Sequence, residues 1–270
     1  MTNFPNDIPT PKQVIARARA LQDRTARLRE GAGLVEGIRQ VLAAIEAGHE
    51  LEMLLVDPVK LRSEVARQAV LDAEEDGIPV VDLPTATFAR ISQRDNPVGI
   101  AAIVRWRPLD LDDVHLPTDG LAVLCDDVRD PGNVGTVART LDAAGGDLLI
   151  LHGGVDAMHP TALRASLGSL FHIQVAQVAS LDDAFAWAAE QRVQTVATSA
   201  HAEQAIWDVE LQVPGMLLIG NEARGLDEAT RARCDLQVSI PMQGRVTSLN
   251  ASVAAGALML EYARQRHTRR

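Results

Sequence analysis

LAVLCDDVRDPGNVGTVART, residues 121–140, passes from an unbroken apolar run through two carboxylates and a Pro-Gly pair into a segment of helical spacing with one arginine. An apolar run without polar alternation reads as a strand buried on both faces, and a helix entered a few residues later reads as the start of a βαβ unit. Pro131-Gly132 suits the centre of a type II turn, and Asn133 is expected to cap the helix behind it. Val134, Val137, Ala138 and Leu141 share one face of that helix, with Arg139 roughly opposite. Taken alone, Arg139 is a solvated helix arginine. If another segment covers its face, it stands in a cleft beside Asn133 at the carboxyl end of the strand.

Outward from this stretch the pattern repeats. Strand-like runs at 147–151, 172–178, 194–199, 216–220 and 236–240 are separated mostly by helical segments. The reading is α/β, a mostly parallel sheet with helices on both faces, whose ligands bind beyond the carboxyl ends of the strands. Upstream, Leu34, Val35, Ile38, Val41, Leu42 and Ile45 fall at helical spacing, and 51–56 is a short apolar run. Val65, Ala69 and Val70 suggest another helix, followed by strands at 78–83 and 98–104. A small α/β domain is therefore expected over 1–104, an Asp- and Pro-rich linker over 105–119, and a second domain over 120–270.

Composition narrows the partners. The chain has 270 residues, 47% of them hydrophobic, enough for a real core, and a formal net charge of -10, which opposes broad sequence-independent binding of nucleic acid. An RNA partner needs local basic patches. The candidates are Lys12, Arg17, Arg19, Arg24, Arg27 and Arg29, and the tail Arg264, Arg266, Arg269 and Arg270; each equally suits a solvated helix face or a frayed end. No apolar run has the length of a membrane span and MTNFPNDIPTPK lacks a signal core, so a cytoplasmic protein with no membrane partner is expected. Cys125 and Cys234 lack metal-ligand spacing and read as buried small hydrophobes; no metal is expected. Neither a G-x-G-x-x-G fingerprint nor a Walker A loop is present, which disfavours dinucleotide-dependent and P-loop enzymes.

Two later stretches also run from a strand into polar loops. Met216-Leu-Leu-Ile-Gly-Asn-Glu-Ala-Arg-Gly-Leu226 enters a glycine, an amide, a carboxylate and a second glycine, and such glycines let backbone approach a ligand. Val238-Ser-Ile-Pro-Met-Gln-Gly-Arg-Val-Thr-Ser-Leu-Asn-Ala-Ser252 leads into a long helix with Leu249, Val253, Gly256, Ala257 and Leu260 on one side. Ser248 and Asn250, near its start, suit helix capping.

Together and in this order, the three stretches resemble the SpoU, or TrmH, family of SPOUT-class RNA 2'-O-methyltransferases. The likeness rests on Asn133-x-Gly135 with Arg139, on Gly220-Asn-Glu222-x-x-Gly225-Leu226, and on Ser239-Ile-Pro-Met242 followed by Ser248-Leu-Asn250-x-Ser252-Val253. It is strong over about 120–266. Leu34-Val-Glu-Gly37 and Pro97-Val-Gly-Ile-Ala101 look more weakly like the L30e-type substrate-binding extension of the family.

The resemblance implies a deep trefoil knot, a homodimer with active sites at the subunit interface, and S-adenosylmethionine bound in the knot without a metal. Gly220, Ile240 and Leu249 would contact the adenosine part, with Thr198, Ser199, Asn221, Gly225 and Met242 in the same pocket. Arg139 would act on the ribose 2'-hydroxyl, and Asn133, Glu222, Ser248 and Asn250 would position it and the substrate. Arg164, Ser166 and Gly168 look similar to a family segment near the substrate. Ala223 departs from the glycine that many relatives carry there, adding a methyl to the loop. Large-subunit (23S) ribosomal RNA is the expected substrate; a tRNA 2'-O-methyltransferase and a catalytically silent RNA- or donor-binding protein are the alternatives.

Overall fold

A computed structural model describes residues 10–268. Residues through Arg107 form one compact unit with Met158–Phe171; Pro108–Ala157 form a second with the chain from His172 onward.

In the first unit α1 (Pro11–Ala20) opens on a reciprocal cap between Thr10 and Gln13, and α2 (Arg24–Glu30) stops at Gly31, whose φ of 58° ends the helix in the left-handed region. β1 (Ala32–Glu36), α3 (Ile38–Glu46), β2 (Glu50–Val56), α4 (Glu64–Glu75), β3 (Val80–Asp82), α5 (Thr85–Phe88) and β4 (Ile100–Arg105) follow. The sheet order is β1-β4-β2-β3, with β4 antiparallel to both neighbours and β3 parallel to β2. Strand alternation collects Leu34, Met53, Leu55, Ala101 and Ile103 into one core with Val14 and Ala18 of α1.

Leu34 and Val35 thus belong to a strand, contrary to their helical spacing. An adjacent apolar pair fits either period, and Gly37, at φ 113°, separates it from the helix that begins at Ile38. On α4 the inward residues are Ala66 and Ala73, while Val65 is exposed. The basic N-terminal stretch is partly consumed by the fold. Arg27 is buried and donates to Leu21 O at 3.1 Å and Gln22 O at 2.7 Å. Arg17 pairs with Glu30 and, at 2.8 Å, with Glu52. Lys12, Arg19, Arg24 and Arg29 remain exposed.

The second unit begins with β5 (Leu121–Asp126), α6 (Pro131–Ala143) and β6 (Leu148–His152). α7 (Pro160–Ser166) returns to the first unit, and then come β7 (Gln174–Val178), α8 (Leu181–Glu190), β8 (Gln194–Thr198), β9 (Gly215–Ile219), α9 (Glu228–Arg233), β10 (Leu236–Val238) and α10 (Ala251–Thr268). All pairings are parallel, in the order β10-β8-β9-β5-β6-β7. From β5 the strands step to one side through β6 and β7, then cross to the other. That reversal opens a crevice at the carboxyl ends beside β5 and β9.

One face of this sheet packs Leu124, Ile150 and Leu218 on Ala184, Trp187 and Ala188 of α8, joined by Leu111 and Val114. Trp187 Nε1 donates to Val114 O at 2.9 Å, so much of the stretch read as a linker covers the second unit's core. α6 and α10 pack together, α6 against β6 and α10 against β9. The α10 side turned inward carries Ser252, Ala255, Leu258, Met259 and Tyr262. Val253 and Leu260, which spacing groups on one side of this helix, are 55% and 57% exposed. The Tyr262 hydroxyl lies 3.0 Å from Gly120 O and 3.1 Å from Gln212 O, in a notch that a Cβ on Gly215 would close, at 2.7 Å from the ring.

Cys125 is buried as expected, but Cys234 is only half-buried, at the rim of the core. Of the basic tail, Arg264 pairs with Glu261 at 2.7 Å and Arg266 donates to Asp119, Ala144 and Gly145 carbonyls. Arg269 and Arg270 lie outside the described residues, as does most of MTNFPNDIPTPK. No helix among the described residues is long and apolar enough to cross a membrane.

Candidate active site

The opening stretch folds with one change from its sequence reading. The cap of α6 is Asp130, whose Oδ1 accepts from the Gly132 amide at 2.7 Å, and Pro131 is the first helical residue. Proline has its φ preset for that position and no N–H to leave unpaired there. Pro131-Gly132 are therefore helix rather than a type II turn, and Asn133 is released from capping. It is 5% exposed.

Its amide joins two other loops. Asn133 Nδ2 donates to Glu222 Oε1 at 2.9 Å, and Asn133 Oδ1 accepts from Asn250 Nδ2 at 3.0 Å. Asn250 Oδ1 in turn accepts from the Ser252 amide at 2.9 Å and the Ser252 hydroxyl at 2.7 Å, at the start of α10. The direction follows from Glu222: an ionised carboxylate only accepts, so each amide beyond it must donate toward Glu222 and accept from the α10 side. Glu222 also accepts from the Arg129 and Asp130 amides at 3.2 and 3.1 Å. Burial pushes its carboxyl up, but the bonds from Asn133 and the backbone amides outweigh this and hold it below the usual carboxylate range. Burial, then the charge of Glu222, pushes the Cys125 thiol up to about 12, so it stays protonated near neutrality and is no nucleophile.

Beside this chain of bonds lies a cleft of about 320 Å³ at the carboxyl ends of β8, β9 and β10. Thr198, Ser199, Gly220, Asn221, Gly225, Ile240, Met242 and Leu249 all line it, with Glu222 and Ser248. A Cβ on Gly220 would fall inside contact distance of the Gly225 carbonyl carbon and the Leu226 nitrogen, so the strand end and the returning loop touch backbone to backbone. Gly225, at φ 66°, closes that loop by donating to Asn221 O at 2.8 Å. The Asn221 side chain is committed within the protein: Oδ1 accepts from the Ala223 and Arg224 amides and Nδ2 donates to Asp127 O. Ile240, Met242, Leu249 and Leu258 give the cleft apolar walls.

Other expected residues stand apart from that chain. Arg139 is exposed on α6 with no described hydrogen bond or ion pair, and Ser248 lines the cleft without joining the amide chain. Arg164, Ser166 and Gly168 belong to the first unit. Arg164 donates to Thr161 Oγ1 at 3.3 Å; Ser166 is fully buried and donates to Leu163 O; Gly168, at φ 105°, packs against Ala43.

Sequence reasoning passed over Asp127, Arg224 and Arg231. Arg231 lines the cleft, pairs with Glu228 and donates to Ser199 Oγ at 2.8 Å. Its spacing three residues after Glu228 on a short helix was the available signal. Asp127 gave only Arg129 two residues on, because its partners in the facing loop, Asn221 and Arg224, lie over ninety residues away.

Comparison with known proteins gives the chain a family. The family model described as SpoU rRNA Methylase family matches residues 120–260, and an MRM3-like substrate binding domain matches 12–102. A 23S rRNA (uridine(2479)-2'-O)-methyltransferase of Streptomyces viridochromogenes is 35% identical over 252 residues, covering 91% of this chain and 87% of the relative. The crystal structure of the SpoU methyltransferase AviRb from Streptomyces viridochromogenes with the cofactor AdoMet superposes with a TM-score of 0.85 at 33% identity, over 94% of this chain and 98% of that one. A structure concerned with 2-OH methylation of C/U34 on tRNA matches at TM-score 0.51 and 33% identity, over 57% of this chain and all of its own. With residues 120–260 matched by the family model and 91% of its length aligned to a 35% identical relative, this chain belongs to the SpoU rRNA methylase family.

Proposed function

We propose that this protein transfers a methyl group from S-adenosylmethionine to a ribose 2'-hydroxyl of 23S ribosomal RNA, as a cytoplasmic homodimer. The observation that carries the reading is the Glu222–Asn133–Asn250 chain beside the cleft, because it draws three separated loops to one point. The cleft fits the donor: apolar walls from Ile240, Met242 and Leu249 suit an adenosine, and the bare Gly220 lets the backbone of Gly225 and Leu226 pack against the strand end and form the cleft's wall. Bound there, S-adenosylmethionine supplies an electrophilic methyl that already carries its leaving group.

The chain's own residues then hold the acceptor. Asn133 and Glu222 fix the start of α6, and Arg139, six residues further on, is the cation assigned to the ribose oxygen as its charge develops. Arg139 acts by stabilising the developing oxyanion, while the hydroxyl proton passes to solvent or an RNA phosphate. Ser248 and Asn250 set the third loop, and Arg164 is assigned to the substrate side, whereas Ser166 and Gly168 are buried within the first unit and are left out of that role. The exposed Val253 and Leu260 of α10 support a second copy as their cover. The knot is supported by β10, which lies outside β8 although the chain must return to place α10 against β9.

The match of a substrate-binding domain to 12–102 favours ribosomal RNA, since the tRNA-related neighbour spans only the smaller share of this chain given above. The test is incubation of the purified protein with tritiated donor and separated rRNA and tRNA. Labelled 2'-O-methylnucleotide in 23S RNA supports the reading; label confined to tRNA replaces the substrate, and donor binding without label leaves a silent binding protein.

A further inference from the structure

Asp127 is the first residue beyond β5, and it holds a φ of 50° that side-chain-bearing residues rarely adopt. Aspartate and asparagine are the side chains that tolerate this region best, yet glycine would enter it at less cost. Its amide still donates to His152 O at 2.8 Å, so the turn is made after the strand register has been kept. The left-handed turn swings the Asp127 carbonyl toward the loop that follows β9, where Asn221 Nδ2 donates to it at 2.9 Å. The carboxylate faces the same way: Arg224 Nη2 donates to Oδ2 at 2.6 Å, and Arg129 reaches Oδ1 and Oδ2 at 3.3 and 3.2 Å. The Arg129 and Arg224 bonds hold the carboxyl below its usual range, the one from Arg129 most strongly.

These contacts bracket Glu222. Asn221 and Arg224, on either side of it in the loop, are both tied to Asp127, and the Glu222 carboxylate is received by the amides of Arg129 and Asp130 just after Asp127. The two loops are thus stitched at two points, one at Asp127 itself and one at the amides just after it.

We propose that Asp127 is a positioning residue, a strap between the loops after β5 and β9 that sets Glu222 against Asn133 and holds the 220–226 wall of the donor cleft closed. It touches neither donor nor ribose and acts through Asn221, Arg224 and Glu222. A carboxylate supplies here what glycine could not, a partner for Arg224. The functional consequence rests on the methyltransferase reading above; the strap itself does not.

Asp127→Gly tests it, since that variant keeps the backbone conformation and deletes only the carboxylate. Amide hydrogen exchange without any ligand is expected to quicken about 3- to 10-fold across residues 220–226, the effect of losing one or two exposed hydrogen bonds, while the melting temperature stays close to wild type. Binding of S-adenosylhomocysteine by calorimetry is expected to weaken by a similar factor. Asp127→Asn, which keeps an acceptor, is expected to recover most of both, and Arg224→Ala added to Asp127→Gly to bring little further change. Unchanged exchange over 220–226 in Asp127→Gly, or effects of the two substitutions that simply add, would overturn the strap. Failure of the wild-type protein to bind S-adenosylhomocysteine would instead count against the donor assignment, with the exchange result still deciding on Asp127.

Discussion

Asn133 Nδ2 donates to Glu222 Oε1 at 2.9 Å, joining residues 89 positions apart, and this one bond dictates which way the amide of Asn250 must point. A hydrogen bond to an ionised acceptor is among the stronger kinds, and its removal leaves Glu222 with only the backbone amides of Arg129 and Asp130.

Asn133→Asp should therefore be harsher than deletion. Two carboxylates would face each other where an amide had donated, costing about 1–3 kcal/mol of stability. Methyl transfer should fall about 10²-fold or more, in line with the loss of an oriented polar group. Urea unfolding and a tritiated-donor assay measure the two effects, and an Asn133→Asp variant that stays both stable and active would sink the assignment.

Arg139→Ala should separate activity from stability. The side chain is exposed and makes no described bond, so the melting temperature should hold, while the rate should drop about 10²- to 10³-fold. Lysine should restore part of it, keeping charge without the planar fork. Turnover near the wild-type rate at saturating donor and RNA would return Arg139 to the solvated face.

Gly220→Ala needs no larger side chain to report. The added methyl would meet the backbone of Gly225 and Leu226, which cannot rotate away, so the loop itself must shift. Affinity for S-adenosylhomocysteine should fall, with about 1–3 kcal/mol lost in stability. Calorimetry showing full affinity would mean that the cleft tolerates displacement of the loop.

For Glu222 the pH dependence has a definite sign. Its folded pKa lies below the unfolded value, so its contribution is fully present above about pH 4.3 and is lost as pH falls through the lowered value. Glu222→Gln should be less stable than wild type near neutrality, with the gap narrowing only under more acid conditions than an ordinary glutamate would require. Paired urea titrations from neutral to acid pH would show it; a gap that closes near pH 6 would refute it.

Val253→Glu with Leu260→Glu should leave the fold intact and split the proposed homodimer, since both side chains are exposed on one chain. Sedimentation velocity reads the outcome. An unchanged sedimenting species would place the subunit contact elsewhere.

How far the sequence carried depends on whether a residue's partner is local. The buried strands were plain in runs such as Leu121–Cys125, because a strand covered on both faces has no polar alternation to confuse. Leu34-Val35 misled because two adjacent apolar residues carry no period. Val253 and Leu260 show another limit: spacing groups residues on a face but does not say whether that face meets the same chain. The cap at Asp130 was open to view, with proline after it as the usual companion, but Asn133 drew the role through the turn reading. Asp127 was beyond reach, since neither its left-handed backbone nor its bonds to Asn221 and Arg224 leave a local trace.

Tyr262 and Asn250 are two of the points that fix α10, twelve residues and so about 18 Å apart along the helix axis. One is seated by the notch at Gly215, near the amino ends of β5 and β9, and the other is tied to Asn133 at the carboxyl ends. The helix behaves as a spacer rod of set length, transmitting axial displacement from the floor of the sheet to its rim. A methyl at Gly215 would have no contact with the cleft, yet it would press on the Tyr262 ring that seats the helix. A slip of about 0.5 Å is enough to carry a 3.0 Å bond between Asn250 and Asn133 to the limit of useful geometry. Tolerance to substitution at that remote glycine is thus set by the alignment of amides on the opposite side of the molecule.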